Sequence, residues 1–215
     1  MPRILLCSAT AFEIQPTIDL LSSIDGQLEV CITGVGLVET AFSLAARLSS
    51  NAPDILLQAG IAGCLDQAFA LCTVAAIGSD GIGDQGVLEE GGFRSTFDLG
   101  FGQKDAAPWM NGRLPNDSGL PEKTGLPVVA AVSVNTISTD TRQIAHYRNA
   151  WAAVAESMEG AAFHYAARKW KLPFLQLRAF SNYIGERDKS RWQLRESIGA
   201  LNAGLQTIIP QLLSI

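Results

Sequence analysis

Three polar side chains stand where an enzyme built on a β-sheet carries its chemistry. Glu13, Glu159 and Asn182 each follow an apolar run that predicts a strand. In α/β sheets, ligands bind just outside the carboxyl ends of the strands. Carboxylates there act as acids, bases or partners for hydroxyl groups, and an amide donates hydrogen bonds to a group that gains charge.

Each of these residues also has a structural explanation. Thr10 and Glu13 have the spacing of a capping box, in which the glutamate accepts a bond from a backbone N–H at the helix start. Local sequence favours that role for Glu13. Glu159 in a first helical turn would stabilise the helix dipole, and Ser181 and Asn182 are also typical turn residues. Structure and function therefore both stay open at these positions.

Two further polar residues interrupt apolar segments. Arg178 lies within an apolar strand, where a guanidinium needs a partner because an unpaired buried charge is very costly. His164 lies on a helix of apolar and small residues, and we expect an interior or interface histidine rather than an acid or base.

A glycine motif at 34–39 follows a strand and opens a helix, as a dinucleotide-binding loop does. Glu39 stands where that loop needs a small residue, and no acidic residue ends the next strand. The motif therefore predicts a plain strand-to-helix turn. The four cysteines, Cys7, Cys31, Cys64 and Cys72, lack zinc-site spacing and only two histidines are present. We expect no metal and no cofactor.

Composition narrows the class of partner. Of 215 residues, 47% are hydrophobic and 17% charged, which provides a sizeable core. The net charge of -5 gives no footprint for nucleic acid or an anionic membrane, so a small molecule is expected. The apolar run near the first residue is cut by polar side chains, unlike a signal peptide, and no run has membrane-spanning length. We expect a cytoplasmic protein.

Strands and helices alternate along the chain. Residues 38–48 place Val38, Ala41, Phe42, Ala45 and Leu48 on one helical face, and a last helix from Leu194 carries one apolar stripe. We expect strands at 4–6, 28–33, 55–59, 73–77, 128–134, 154–158 and 172–180, and further helices at 11–21, 142–154 and 161–170. The alternation predicts one α/β domain over residues 1–215 around a parallel or mixed sheet.

Residues 81–124 lack a long periodic element. They carry five large apolar side chains, which predict a homodimer interface if exposed. These are Phe93, Phe97, Phe101, Trp109 and Met110.

Five segments taken together resemble the purine nucleoside phosphorylase and methylthioadenosine nucleosidase superfamily. The specific feature is Met158–Glu159 before small residues, followed about twenty residues later by Arg178 and then Ser181–Asn182. The segments are 8–13, 34–36, 58–63, 156–160 and 178–182.

The resemblance implies a fold and a set of roles. The fold is a single nucleoside phosphorylase-like domain with a central mixed β-sheet, partly barrel-like, surrounded by helices. Glu159 would hold the ribose hydroxyls, Met158 would pack on the sugar, Glu13 would activate water and Asn182 would face the purine, with Ser181 supporting it. The remaining substrate-binding positions are Ala9, Ala62, Gly63, Ser157 and Arg178.

The activity implied is hydrolysis of the N-glycosidic bond of futalosine, which releases hypoxanthine in menaquinone biosynthesis. Relatives that act on adenine nucleosides carry Asp at the position of Asn182 and Glu at that of Ser157. Ile61 stands in place of a serine beside the phosphate or water site and could not bind phosphate. Three alternatives stay open: an inosine-type phosphorylase, a methylthioadenosine-type nucleosidase and a non-catalytic nucleoside-binding protein.

Futalosine also carries an aromatic carboxylate. We expect the 81–124 segment to bind it, by stacking of Phe or Trp and by pairing with Arg94, Lys104 or Arg113.

Overall fold

The structure is a computed structural model that describes residues 2–21 and 26–214. Within these ranges the secondary structure comprises ten strands and six helices, with a short 3-10 helix at Lys189–Arg191. The strands are β1 (Ile4–Ser8), β2 (Leu28–Ile32), β3 (Ile55–Cys64), β4 (Val74–Asp80), β5 (Gly86–Glu89), β6 (Gly92–Ser95), β7 (Leu114–Pro115), β8 (Val128–Ser133), β9 (Ala153–Ser157) and β10 (Phe174–Tyr183). The helices are α1 (Ala11–Leu21), α2 (Leu37–Ser50), α3 (Leu120–Lys123), α4 (Thr141–Trp151), α5 (Gly160–Trp170) and α6 (Leu194–Leu213).

Five strands close into a ring. The order is β10, β4, β8, β9 and β3, and β3 pairs back with β10. The β10–β3, β4–β8 and β8–β9 pairs are parallel, whereas β10–β4 and β3–β9 are antiparallel. Strands β1 and β2 continue the sheet from β3 in parallel. The predicted α/β fold with a mixed, partly barrel-like sheet is confirmed.

Helices cover both faces of the β1–β3 region because its central strands are apolar on both sides. Leu6 and Leu57 pack in a core with residues of α1 and α6. Their neighbours Leu5 and Leu56 face the other way and pack against α2 and α5. The predicted stripe on the last helix is largely buried, at Ile198, Leu201, Leu205, Ile208 and Leu212.

Two strands extend further than the sequence predicts. Gly60–Gly63 lie inside β3 rather than after it, and Ser181–Asn182 lie inside β10. Both strands have ten residues because they pair with each other along most of their length. The expectation that Asn182 follows its strand was therefore wrong, because β10 ends at Tyr183, three residues beyond the expected end at 180.

Helix α2 buries a different face from the one predicted. Its buried side chains are Thr40, Leu44 and Leu48. Val38 and Phe42 are 78% and 74% exposed, so the predicted apolar face points mainly to solvent in the single chain.

The 81–124 segment forms structure of its own. Strands β5 and β6 make a hairpin. Phe97 contacts Trp109 edge-on with ring centroids 5.2 Å apart, and Trp109 contacts Tyr165 of α5 at 5.8 Å. Of the five predicted interface residues only Phe101 and Met110 are exposed, so this segment is a weak basis for a dimer. In the parts of the chain that the structure describes, no helix is both long and apolar enough to cross a bilayer.

Candidate active site

A cavity of about 370 Å³ opens near the carboxyl ends of β1, β3, β9 and β10. We refer to it as the main cavity. Its volume falls within the range of small-molecule sites. Arg178 lies behind its wall, in contact with Glu159. All the other predicted site residues line it: Ala9, Glu13, Ala62, Gly63, Ser157, Met158, Glu159, Ser181 and Asn182.

Strand β3 changes partner at the main cavity. On one side it pairs with β1 up to Gln58 and with β9 from Gly63 onward. Residues 59–62 therefore have no strand partner on that side. Buried backbone groups need partners, so the N–H and carbonyl of Ile61 must be satisfied by side chains.

Glu13 provides one of those partners. Its Oε1 accepts a 2.9 Å hydrogen bond from Ile61 N. Its Oε2 accepts from Thr10 Oγ1 at 2.8 Å, Thr10 N at 3.2 Å and Ser8 Oγ at 3.4 Å. The bond from Thr10 N is the return half of the predicted capping box. The cap occupies Oε2, and Oε1 accepts only one bond from the described residues, which leaves it a lone pair for a ligand.

Glu159 lines the main cavity and contacts two segments that are distant in sequence. It is the N-cap residue of α5, yet its side chain makes no capping hydrogen bond to that helix. Instead Oε1 accepts from Gly36 N at 3.1 Å, at the start of α2. Oε2 lies 3.4 Å from Arg178 Nη2. Glu159 is therefore held by contacts from two distant segments, and stabilisation of its own helix does not explain its orientation.

Arg178 is 2% exposed, and both of its Nη atoms have hydrogen-bond partners, whereas its Nε has none among the described residues. Nη2 donates to Gln58 Oε1 at 3.2 Å and to Glu159 Oε2 at 3.4 Å. Nη1 donates to the Ile61 carbonyl at 3.3 Å. Because Arg178 contacts both the β3 gap and Glu159, it positions the carboxylate without lining the cavity.

Gly60 leaves room for this arrangement. A Cβ at this position would lie 2.5 Å from Arg178 Nη1 and 2.9 Å from Glu13 Oε1. Both distances are shorter than any ordinary van der Waals contact. Both groups therefore reach the backbone of Ile61 past a glycine, because any side chain at position 60 would displace them.

Asn182 presents the nitrogen of its amide to the main cavity. Ser181 Oγ donates to Asn182 Oδ1 at 2.9 Å and lies 3.4 Å from the Ala62 carbonyl. Asn182 Nδ2 has one long bond, 3.3 Å, to the Tyr183 carbonyl. Ser181 therefore occupies the acceptor end of the amide and leaves an N–H free to donate to a ligand.

Ser157 belongs to a polar network behind the cavity. Its Oγ accepts from Gly160 N at 3.4 Å and lies 3.5 Å from Ser133 Oγ. Ser133 donates to Asp80 Oδ1 at 2.9 Å. Burial raises the pKa of Asp80 to about 6, although bonds from Gly81 and Ser133 act in the opposite direction. The network anchors the start of α5, and with it Glu159.

One buried carboxylate on the cavity wall has no role among the sequence-based expectations. Glu156 lies in β9 and lines the main cavity. The signal was available, because a charged residue within an apolar strand is the same pattern that singled out Arg178. Several apolar lining residues were also missed, among them Phe12, Val35, Ile137, Ile184 and Trp192.

The expected carboxylate-binding cations do not lie at the main cavity. Arg94 is paired with Glu89 at 3.7 Å. Arg113 donates to the carbonyls of Ala150 and Trp151 and stacks on the Trp151 ring. Lys104 and Arg113 line a separate cavity of about 220 Å³. Within one described chain this expectation was wrong, because the 81–124 segment packs against α4 and α5 instead.

The main cavity thus combines two carboxylates held by different elements with one amide that offers a donor. Such a set can bind vicinal hydroxyls, polarise a water molecule and stabilise charge on a leaving group. These are the needs of glycosidic bond cleavage through an oxocarbenium-like transition state.

Comparison with known proteins identifies the family. A model of the phosphorylase superfamily matches residues 23–209. The chain belongs to the phosphorylase superfamily. Two curated relatives are futalosine hydrolases. The one from Thermus thermophilus is 30% identical over 187 residues, which cover 83% of this chain and 80% of the relative. The one from Streptomyces coelicolor is 30% identical over 190 residues, which cover 86% and 79%.

Solved structures share this phosphorylase-superfamily fold. The native futalosine hydrolase of Helicobacter pylori matches with a TM-score of 0.81 and 15% identity over 97% of both chains. A mutant of the methylthioadenosine nucleosidase of the same organism, with 5′-methylthioadenosine in its active site, matches with a TM-score of 0.82 and 15% identity over 98% of this chain and 99% of that one. At such identities the likeness concerns the fold.

Proposed function

We propose that the protein hydrolyses the N-glycosidic bond of futalosine and releases hypoxanthine. The observation that carries the proposal is the single cavity that Glu13, Glu159 and the donor end of Asn182 share. Two relatives at 30% identity are futalosine hydrolases, which supports this substrate over others in the superfamily. The other product, dehypoxanthine futalosine, would belong to menaquinone biosynthesis.

The carboxylates take different parts in this reaction. Glu159 would accept hydrogen bonds from the ribose hydroxyls while Arg178 and Gly36 N hold it in place. Met158 would pack against the sugar. Glu13 Oε1 would orient and deprotonate the attacking water, because Oε2 is already bonded to Thr10.

Water, rather than phosphate, is the nucleophile that the lining favours. Among the described residues of the main cavity there is neither lysine nor arginine, and Ile61 lies beside Glu13. A phosphate dianion in this position would meet two carboxylates without a compensating cation. The lining therefore argues against a phosphorylase, and the retained carboxylates argue against a mere binding protein.

The direct test follows free base by chromatography with futalosine, inosine and methylthioadenosine, each with and without phosphate. We expect hypoxanthine from futalosine at a rate that does not depend on phosphate. Release that requires phosphate would identify a phosphorylase, and adenine from methylthioadenosine as the fastest product would identify an adenine nucleosidase. No release from any of the three would refute the proposed reaction.

Two glutamate variants separate catalysis from capping. Glu13→Gln should lower turnover by about a hundredfold or more, because it removes the base. Glu159→Gln should weaken ribose binding, at about 1.5–3 kcal/mol for each charge-assisted bond lost. Glu122→Gln, on the exposed side of α3, is the matched control. A Glu13→Gln protein with full activity would leave Glu13 with the capping role alone, since Gln can also close the box.

Asn182 determines which purine base is released. Its N–H donors suit the N7 and O6 acceptors of hypoxanthine, whereas adenine presents an amino group at position 6. We expect Asn182→Asp to shift the ratio of specificity constants from futalosine toward its 6-amino analogue. An unchanged ratio would mean that Asn182 only shapes the strand.

A homodimer in the cytoplasm completes the proposal. The exposed apolar residues cluster at the cavity mouth, where Phe12, Val35 and Ile137 line it, and continue onto α2 at Val38 and Phe42. Such a surface is typical of an interface. Sedimentation velocity should show a dimer at micromolar concentration and a monomer for Phe42→Glu, and a wild-type monomer would contradict the assembly. The four cysteines are free thiols, as in a reducing compartment.

A further inference from the structure

Glu156 is a buried carboxylate that the reaction described above does not use. It is 4% exposed, although it lines the main cavity. Its Oε1 accepts a 3.0 Å hydrogen bond from Ser138 N. Its Oε2 has no hydrogen-bond partner and almost no contact with solvent. A buried carboxylate oxygen without a donor costs free energy, so a bound ligand that supplies an N–H or O–H would stabilise this site.

The sheet places Glu156 beside the residue that faces the leaving base. Gly63 of β3 lies directly opposite Glu156 of β9 on one side and opposite Asn182 of β10 on the other. Directly opposed residues project to the same face of a sheet. Glu156 and Asn182 therefore flank a position without a side chain, with Cα atoms about 10 Å apart, two strand spacings.

The floor between them is apolar. A Cβ at Gly63 would lie 2.1 Å from Ile184 Cδ1, so that methyl group fills the space over the glycine. The same Cβ would lie 3.6 Å from Asn182 Nδ2, which confirms the side to which the amide points. A flat ring resting on Ile184 would thus have a donor at one edge and an acceptor at the other.

The environment of Glu156 suits a hydrogen-bond acceptor whose donor comes from a ligand. Burial raises the pKa of Glu156, and the hydroxyl and the backbone N–H of Ser138 oppose this shift without reversing it. Asp84 raises the same pKa by repulsion, and Tyr147 lies close enough to feel the charge of Glu156. No described cation is among the groups that act on this carboxylate, so a ligand N–H would be its strongest partner.

A 6-oxopurine has the complementary pattern along one edge. N7 and O6 accept hydrogen bonds, and the neighbouring N1 carries a hydrogen. In adenine N1 is an acceptor, so a carboxylate beside it would repel its lone pair. Asn182 can serve N7 and O6, which leaves N1–H for a second residue.

We propose that Glu156 is a second specificity-determining residue, which accepts the N1–H of a 6-oxopurine and excludes adenine. The proposal rests on the proposed function, because the base preference has a biological role only if the protein cleaves a hypoxanthine nucleoside. Its geometry rests on the unpartnered Oε2 and on the shared register of Glu156, Gly63 and Asn182.

The test measures binding of the free bases, which needs no turnover. Titration calorimetry with hypoxanthine and with adenine compares the wild type with Glu156→Gln, and Glu122→Gln is the control. The substitution should lower the preference for hypoxanthine over adenine by about 10- to 100-fold, because Gln replaces a charged acceptor and can donate to adenine N1. The ratio of specificity constants for futalosine and its 6-amino analogue should move in the same direction.

The outcomes keep the two proposals apart. A wild type that binds hypoxanthine and cleaves no nucleoside would refute the proposed hydrolysis, while a changed base preference in Glu156→Gln would still support the role of Glu156. A folded Glu156→Gln protein with the wild-type preference would overturn that role, as would a wild type that binds neither base. Circular dichroism and the melting temperature check folding, and Glu156→Leu provides a second variant without any acceptor.

Discussion

Gly60→Ala tests whether the placement of Arg178 and Glu13 around Gly60 controls activity. The alanine Cβ would lie 2.5 Å from Arg178 Nη1 and 2.9 Å from Glu13 Oε1. Nη1 must therefore move by roughly 1 Å to reach an ordinary contact distance. The φ angle of Gly60 lies outside the left-handed region, so the backbone accepts alanine and the effect comes from the Cβ alone.

We expect Gly60→Ala to lower activity more than it lowers stability. The displaced atoms are the ends of side chains, so overpacking should cost about 1–3 kcal/mol or less. The lower entropy of the unfolded alanine chain offsets about 0.4–1 kcal/mol of that. These two atoms bond the carbonyl and N–H of Ile61 at the β3 gap, and Nη2 of the same guanidinium contacts Glu159. A displacement of about 1 Å in a catalytic group can cost about 100-fold in rate.

The assay pairs kcat/KM for hypoxanthine release with urea unfolding. Gly199→Ala is the control, because an added Cβ there has nothing within 4 Å and lies on the exposed side of α6. That change should stabilise the helix by up to about 1 kcal/mol and leave the kinetics unchanged. A Gly60→Ala protein with wild-type kcat/KM would refute the argument that these two side chains need a glycine at position 60 for their active placement.

Two other predictions concern stability. Asn202 accepts from Thr17 N at 3.0 Å and donates to the Glu13 carbonyl at 2.8 Å, which replaces the backbone bond lost after Pro16 in α1. Asn202→Ala should therefore lower the free energy of unfolding by about 2–4 kcal/mol, measured as a single transition in urea. A loss below about 1 kcal/mol, the value of one ordinary hydrogen bond, would contradict this. Burial lowers the pKa of His164 to about 4. As the pH drops below about 6.5, the imidazole takes up a proton in the unfolded chain before it does so in the folded protein. The contribution of His164 to stability therefore falls as the pH drops from about 6.5 toward 4. His164 alone should contribute a loss of about 2 kcal/mol at pH 5 relative to pH 7, whereas the raised pKa of Asp80 acts in the opposite direction over this range. His164→Gln should therefore lose about 2 kcal/mol less than the wild type, and equal losses in both proteins would reject the assignment.

Local sequence patterns predicted most elements but misplaced the ends of the two longest strands. Gly60–Gly63 suggested a turn because glycine weakens a strand. The structure keeps these residues in β3, since β10 pairs with them throughout and the Gly60 position must stay small. Pairing between strands more than a hundred residues apart leaves no local signal.

The polar residues of the site were predictable to the extent that they interrupt apolar segments. Arg178 was noticed for this reason, and Glu156 satisfies the same criterion within the strand Ala153–Ser157. What the sequence lacks is the register that sets Glu156 beside Asn182, because that register depends on closure of the five-strand ring. Likewise an apolar helix face at Val38 and Phe42 does not reveal whether it meets the core or a partner.

Closure of the ring also explains why Glu13 can both cap a helix and line the cavity. Strand β3 must leave β1 before it can join β9, and the change of partner exposes the backbone of Ile61 inside the protein. Glu13 satisfies its N–H and Arg178 its carbonyl. The fold therefore requires a carboxylate and a cation at this gap before any substrate binds. Capping and catalysis are thus not exclusive: Oε2 completes the helix start, while Oε1 stands at the gap with a lone pair toward the cavity.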